Sequence, residues 1–76
     1  MELTIASTEN SVTFRFDNGD YSVHPHGSII AIADSSDRVS FKLLSSRKTI
    51  YSVPNGLISP SLETPDKTVE MLNTIL

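Results

Sequence analysis

Asp17-Asn18-Gly19-Asp20 lies between the alternating run Val12-Thr13-Phe14-Arg15-Phe16 and the run Tyr21-Ser22-Val23. Asn-Gly supplies the two positive-φ residues of a type I′ turn, whose twist matches that of two antiparallel strands. The pattern predicts a β-hairpin with its turn on Asn18 and Gly19, and a hairpin commits the chain to a sheet. Successive strand side chains point to opposite faces, so Val12, Phe14 and Phe16 share a buried face with Thr13 and Arg15 opposite.

The remaining sequence extends this sheet. Leu3 and Ile5 alternate with polar residues and predict a first strand, which the polar break Ser7-Thr8-Glu9-Asn10 ends. After Tyr21 and Val23, His24-Pro25-His26-Gly27 stops the third strand, because proline cannot donate to a central ladder. Ile29-Ile30-Ala31-Ile32-Ala33 is short, apolar and β-branched, which predicts a strand covered on both faces at the centre of the core. Asp34-Ser35-Ser36-Asp37 forms a loop, and alternating Val39, Phe41 and Leu43 complete a second hairpin. Ser45-Ser46-Arg47-Lys48 is a third turn, before a sixth strand over residues 48–53 that Pro54-Asn55-Gly56 ends.

The period then changes. Thr64 suits an N-cap, Pro65 the first helical position and Asp66 the positive end of the helix dipole. A helix is predicted over residues 64–76, with Val69, Leu72, Ile75 and Leu76 as an apolar stripe. A helix this short is marginal in water, so the stripe docks either on its own sheet or on a neighbouring subunit. These four residues are the candidate interface. The expected organisation is a single domain, residues 1–76: strands over about 2–53, a linker over 54–63 and the terminal helix. Its class is mainly β (α+β), a five- to six-stranded antiparallel meander or small barrel-like sheet with one C-terminal helix.

A chain of 76 residues buries only about 60% of the surface that its unfolded form exposes. Domains of this size lean on disulfides, a metal or oligomerisation. Cysteine is absent, which removes the first of these. The net charge of −3 offers no attraction to a phosphate backbone, so no nucleic-acid partner is expected. Arg47-Lys48, the one adjacent basic pair, reads as a solvated hairpin tip. Phe14, Phe16 and Phe41 read as core, and Tyr21 and Tyr51 lack the surrounding cations of a base-stacking platform. Met1-Glu2-Leu3-Thr4 does not look like a signal peptide, and no stretch approaches the ~20 apolar residues of a membrane span. No membrane partner is expected.

Few residue groups suggest chemistry. His24 and His26 lie two apart in an extended segment and could share a metal, but zinc needs three or four ligands. The further candidates, Asp20, Asp34 and Asp37, lie in turns. A calcium loop counted from Asp17 would place its twelfth ligand at Ser28, which is no carboxylate. Gly27-Ser28 lacks the Gly-x-Ser-x-Gly context of a nucleophile elbow, and Gly19, Gly27 and Gly56 are too dispersed to cradle phosphate. The expectation is a non-enzymatic protein with no catalytic residue, cofactor or metal.

The order of these features resembles small tailed-bacteriophage virion proteins. Short strands surround an Asn-Gly turn, followed by Ile29-Ile30-Ala31-Ile32-Ala33, a closing strand Thr49-Ile50-Tyr51-Ser52-Val53, a Ser-Pro step and a capped helix ending Val69-Glu70-Met71-Leu72-Asn73-Thr74-Ile75-Leu76. The family consists of compact β-modules with a C-terminal helix at the capsid surface, neck or tail. The resemblance implies a structural role in the virion or in the host cytoplasm where such a protein is made. It implies partners that are copies of the chain, as a homo-oligomer, or a larger virion structural protein. It transfers no functional residue. The alternative expectation is a monomeric intracellular module that binds a peptide by strand addition or a small ligand between sheet and helix.

Overall fold

The computed structural model describes all 76 residues. The strands are β1 (Leu3–Ser7), β2 (Ser11–Phe16), β3 (Tyr21–Pro25), β4 (Ile29–Ala33), β5 (Arg38–Leu43), β6 (Thr49–Pro54) and β7 (Ile58–Ser59), and one helix follows, α1 (Pro65–Leu72). The mainly β class with a C-terminal helix is as expected, but the strands do not form one meander or a barrel. They divide into a four-stranded sheet, β3-β2-β1-β7, and a three-stranded sheet, β4-β5-β6. The division falls at His24-Pro25-His26-Gly27. Gly27 takes φ +83, and Ser28 donates from both its N–H and its hydroxyl to the Pro25 carbonyl. That corner sends the chain into the second layer instead of back along β3.

The expected hairpin of β2 and β3 is present, with Thr13 opposite Val23 and Arg15 opposite Tyr21. Its turn is not type I′, because Gly19 has φ +96 but Asn18 is not left-handed. Gly19 N–H bonds the Phe16 carbonyl, and Phe16 N–H bonds the Asp20 carbonyl. This is a three-residue loop closed by a glycine bulge. Asn18 instead accepts from Asp20 N–H at 2.9 Å, which holds the loop from its side chain.

The inner faces of the two sheets meet in one core. Leu3, Ile5, Val12 and Phe14 come from the first sheet, Ile29, Ala31, Val39, Phe41 and Val53 from the second, and Ile58 and Leu72 complete it. Phe14 and Phe41 meet edge to face across the layers at 5.1 Å. Each large side chain so buried contributes about 1.5–3 kcal/mol against exposure. Tyr51 packs between Phe14 and Phe16 and shares a 2.6 Å hydrogen bond with Ser22, joining β6 to β3.

Three boundaries differ from expectation. β4 is an edge strand, not a strand covered twice: Ile29 and Ala31 are buried, whereas Ile30 is 36% and Ile32 38% exposed, because no layer covers the outer face. The segment 54–63 is not a plain linker. Asn55–Leu57 forms a 3-10 turn, and Ile58–Ser59 adds β7 in parallel to β1, with Leu3 opposite Ile58. The helix starts as expected, with Thr64 Oγ1 accepting from Lys67 N–H and Pro65 in the first turn, but it stops at Leu72. Beyond Leu72 the backbone bonds tighten, Thr74 N–H to the Met71 carbonyl and Ile75 N–H to the Leu72 carbonyl.

Candidate functional site

The predicted interface stripe belongs to the chain's own core. Leu72 is fully buried, and Val69, Ile75 and Leu76 are partly buried against the same cluster. Only Val69 and Leu72 of the four lie within α1; Ile75 and Leu76 reach the core from the turn that follows it. The stripe therefore answers the docking question in favour of its own sheet.

Residues 73–76 are held by polar groups as well. Asn73 Oδ1 accepts from Ala31 N–H at 2.9 Å while its Nδ2 donates to the Ala31 carbonyl at 3.0 Å. One side-chain amide thus takes the place of a neighbouring strand beside β4. Ser7 Oγ donates to the Ile75 carbonyl, and Gly27 N–H to the Leu76 carbonyl at 2.9 Å. His26 lies between two carbonyls, with Nε2 toward Thr8 and Nδ1 toward Leu76.

His24 does not join it. It points into the half-buried face of β3, where Nε2 meets Ser22 Oγ at 3.0 Å and the ring stands edge-on to Phe14. Asp34 accepts from the Ser40 hydroxyl, and Asp37 from Ser35. No three His, Asp or Glu side chains gather in a cluster that could hold a metal ion. Each candidate ligand from the sequence is engaged in a hydrogen bond within the chain.

Strand edges offer the remaining surface. The β4 edge carries the Asn73 clasp, and β7 has two residues. On β6, Thr49 and Tyr51 oppose Lys42 and Phe41 and leave Ile50 as an extra bulged residue, and the strand ends on Pro54; both features discourage further pairing. β3 likewise ends on a proline, Pro25, but along Tyr21–Val23 it carries neither a bulge nor a side-chain clasp. Because Phe16 bonds Asp20, ladder alternation turns the backbone of Ser22 and His24 toward β2. The backbone groups of Tyr21 and Val23 then point outward. Their side chains are 69% and 53% exposed on the outer sheet face.

Charges are sparsely paired. Lys67 Nζ meets Glu63 Oε1 at 2.6 Å in the one ion pair of the chain. That hydrogen bond, helped by the backbone N–H of Glu63, holds the Glu63 carboxyl below its ordinary range, against a smaller opposing effect of desolvation. No helix is long and apolar enough to cross a membrane. Compared with protein-family models, curated proteins and solved structures, the chain matches none.

Proposed function

We propose that this chain is a non-enzymatic structural protein that works by assembling with copies of itself or with a larger structural protein. The resemblance in its sequence makes a tailed-phage particle, or an element derived from one, the setting. The open edge of β3 carries the reading. Outward N–H and C=O groups at Tyr21 and Val23, beside two exposed apolar side chains, are what an incoming strand pairs with. A small core that gains from added contacts supports the same reading.

A second reading draws on the same edge: a monomeric module that captures a peptide as an added strand. Mass separates the two. Light scattering on a sizing column across a concentration series should give a discrete multiple of 8.3 kDa for the assembling protein. Val23→Lys, which charges the edge without touching the core, should shift that mass toward the monomer. A monomer at every concentration would overturn self-assembly and leave the peptide module or assembly onto a larger structural protein.

A further inference from the structure

Leu62 is an exposed leucine on a backbone that cannot move freely. Its N–H donates to Thr68 Oγ1 at 2.8 Å, and its carbonyl accepts from Asn55 Nδ2 at 2.8 Å and from the Thr68 hydroxyl at 3.3 Å. Asn55 and Thr68 are both buried. Two interior polar residues therefore fix the strap that presents a side chain 43% exposed to solvent. An aliphatic anchor held in advance loses little entropy when it binds, which is how the few energetically dominant contacts of an interface are built. The carboxylates of Asp66 and Glu70 lie on the neighbouring turns of α1, and neither is in an ion pair.

The outer side of β4 and β5 carries the counterpart. Ile30, Ile32, Leu43 and Leu44 line a cleft of about 300 Å³ whose polar members are Lys42 and Arg47. Neither cation has a carboxylate within ion-pair distance. Arg47 is also the one non-glycine residue at positive φ, at +62. That conformation is disfavoured for an L-residue, and glycine or asparagine adopts it more readily. A cation thus occupies a turn position poorly suited to its backbone, beside an uncovered apolar cleft.

We propose that the cleft of one copy receives Leu62 of another, with Lys42 and Arg47 facing Asp66 and Glu70. The inference rests on the assembly reading and adds to β3 a second contact. It commits to a second copy because both halves are on this chain: an exposed leucine near the unpaired acids Asp66 and Glu70, and an apolar cleft with unpaired bases. The two surfaces differ, so the contact is heterologous. Repeated in one sense it closes a ring or extends a filament, and each copy both donates and accepts.

Self-association constants from light scattering or sedimentation of the full chain test it. Leu62→Ala should weaken association at least about tenfold, as loss of a central anchor does. Arg47→Glu and Glu70→Arg should each do likewise, and the double exchange should recover association to within about threefold of the parent. Arg47→Gly guards against misfolding, because it removes the cation while relaxing φ; it should melt no lower than the parent and still associate weakly. Unchanged association in Leu62→Ala, or a double exchange as weak as its singles, would overturn the contact. So would a parent chain that stays monomeric. Should Val23→Lys dissociate the assembly while the Leu62 and Arg47 variants leave it intact, the assembly reading stands and this contact falls.

Discussion

Replacing Asn73 with alanine removes both hydrogen bonds to Ala31 at once, 2.9 Å to the N–H and 3.0 Å to the carbonyl. A single intramolecular hydrogen bond contributes about 0.5–1.5 kcal/mol net, so the pair contributes about 1–3 kcal/mol. Two effects reduce this. Water can reach part of the exposed edge, and alanine is a better helix former at the C-terminal end of α1 by a few tenths of a kcal/mol. The expected loss is about 1–2 kcal/mol, which lowers Tm by roughly 4–16 °C in a domain of this size. Asn73→Asp is the sharper control. It keeps an acceptor for Ala31 N–H but sets a carboxylate oxygen against the Ala31 carbonyl, so at neutral pH it should be no more stable than Asn73→Ala. Urea unfolding followed by far-UV circular dichroism measures the loss, and hydrogen exchange at the Ala31 amide locates it. An Asn73→Ala protein within about 0.3 kcal/mol of the parent, with unchanged exchange at Ala31, would refute the claim that this amide completes the β4 edge.

Leu72→Ala should cost about 2–5 kcal/mol in urea unfolding, because the side chain is fully buried between α1 and the sheets; lost association at unchanged stability would instead make it an interface residue. Gly19→Ala should destabilise by about 1–2 kcal/mol even though a Cβ there meets no atom, since φ +96 and not space sets the cost; equal stability would exclude the glycine bulge. Glu63 has a folded pKa below its unfolded value, because Lys67 favours the charged form. Its contribution is therefore present above the ordinary carboxylate range and is lost as pH falls through the lowered folded value. Both side chains are exposed, so the effect is small and screened by salt: Glu63→Gln should flatten the acid limb of stability slightly at low ionic strength, and an unchanged limb would show that the pair contributes nothing.

The sequence carried local structure well and layer assignment poorly. Val12, Phe14 and Phe16 alternate within one strand, and Thr64-Pro65-Asp66 start a helix through groups in its own first turn, so both were legible. Ile29 to Ala33 has the same composition whether one face or both are covered; the uncovered face of Ile30 and Ile32 is decided by the absence of a further layer. Residues 58–59 are too few to show a period, and their pairing with Leu3 and Thr4 is a property of the assembled fold. The stripe from Val69 to Leu76 was correctly read as needing cover. The helix ends short of residue 76 because the bonds of Thr74 and Ile75 tighten to three-residue spacing, a change that the apolar spacing does not show. The Leu62 shoulder had no signal at all, since its rigidity comes from Asn55 and Thr68, which look like ordinary polar surface in the sequence.

The pairing of Leu3 with Ile58 also sets an order of events during synthesis. β1, β2 and β3 can zip locally as soon as they leave the ribosome, and so can the hairpins of β4, β5 and β6. The second neighbour of β1 is made last among the strands, so until residues 58–59 emerge the nascent chain carries an unfinished edge in the middle of what will become its larger sheet. A parallel pairing of two residues is too short to hold the segment after β6 in place alone. The burial of Ile58 and Leu72 must come with it, which makes the final step of folding a joint capture of β7 and α1. During that interval the open edge of β1 is available to a strand of another nascent chain.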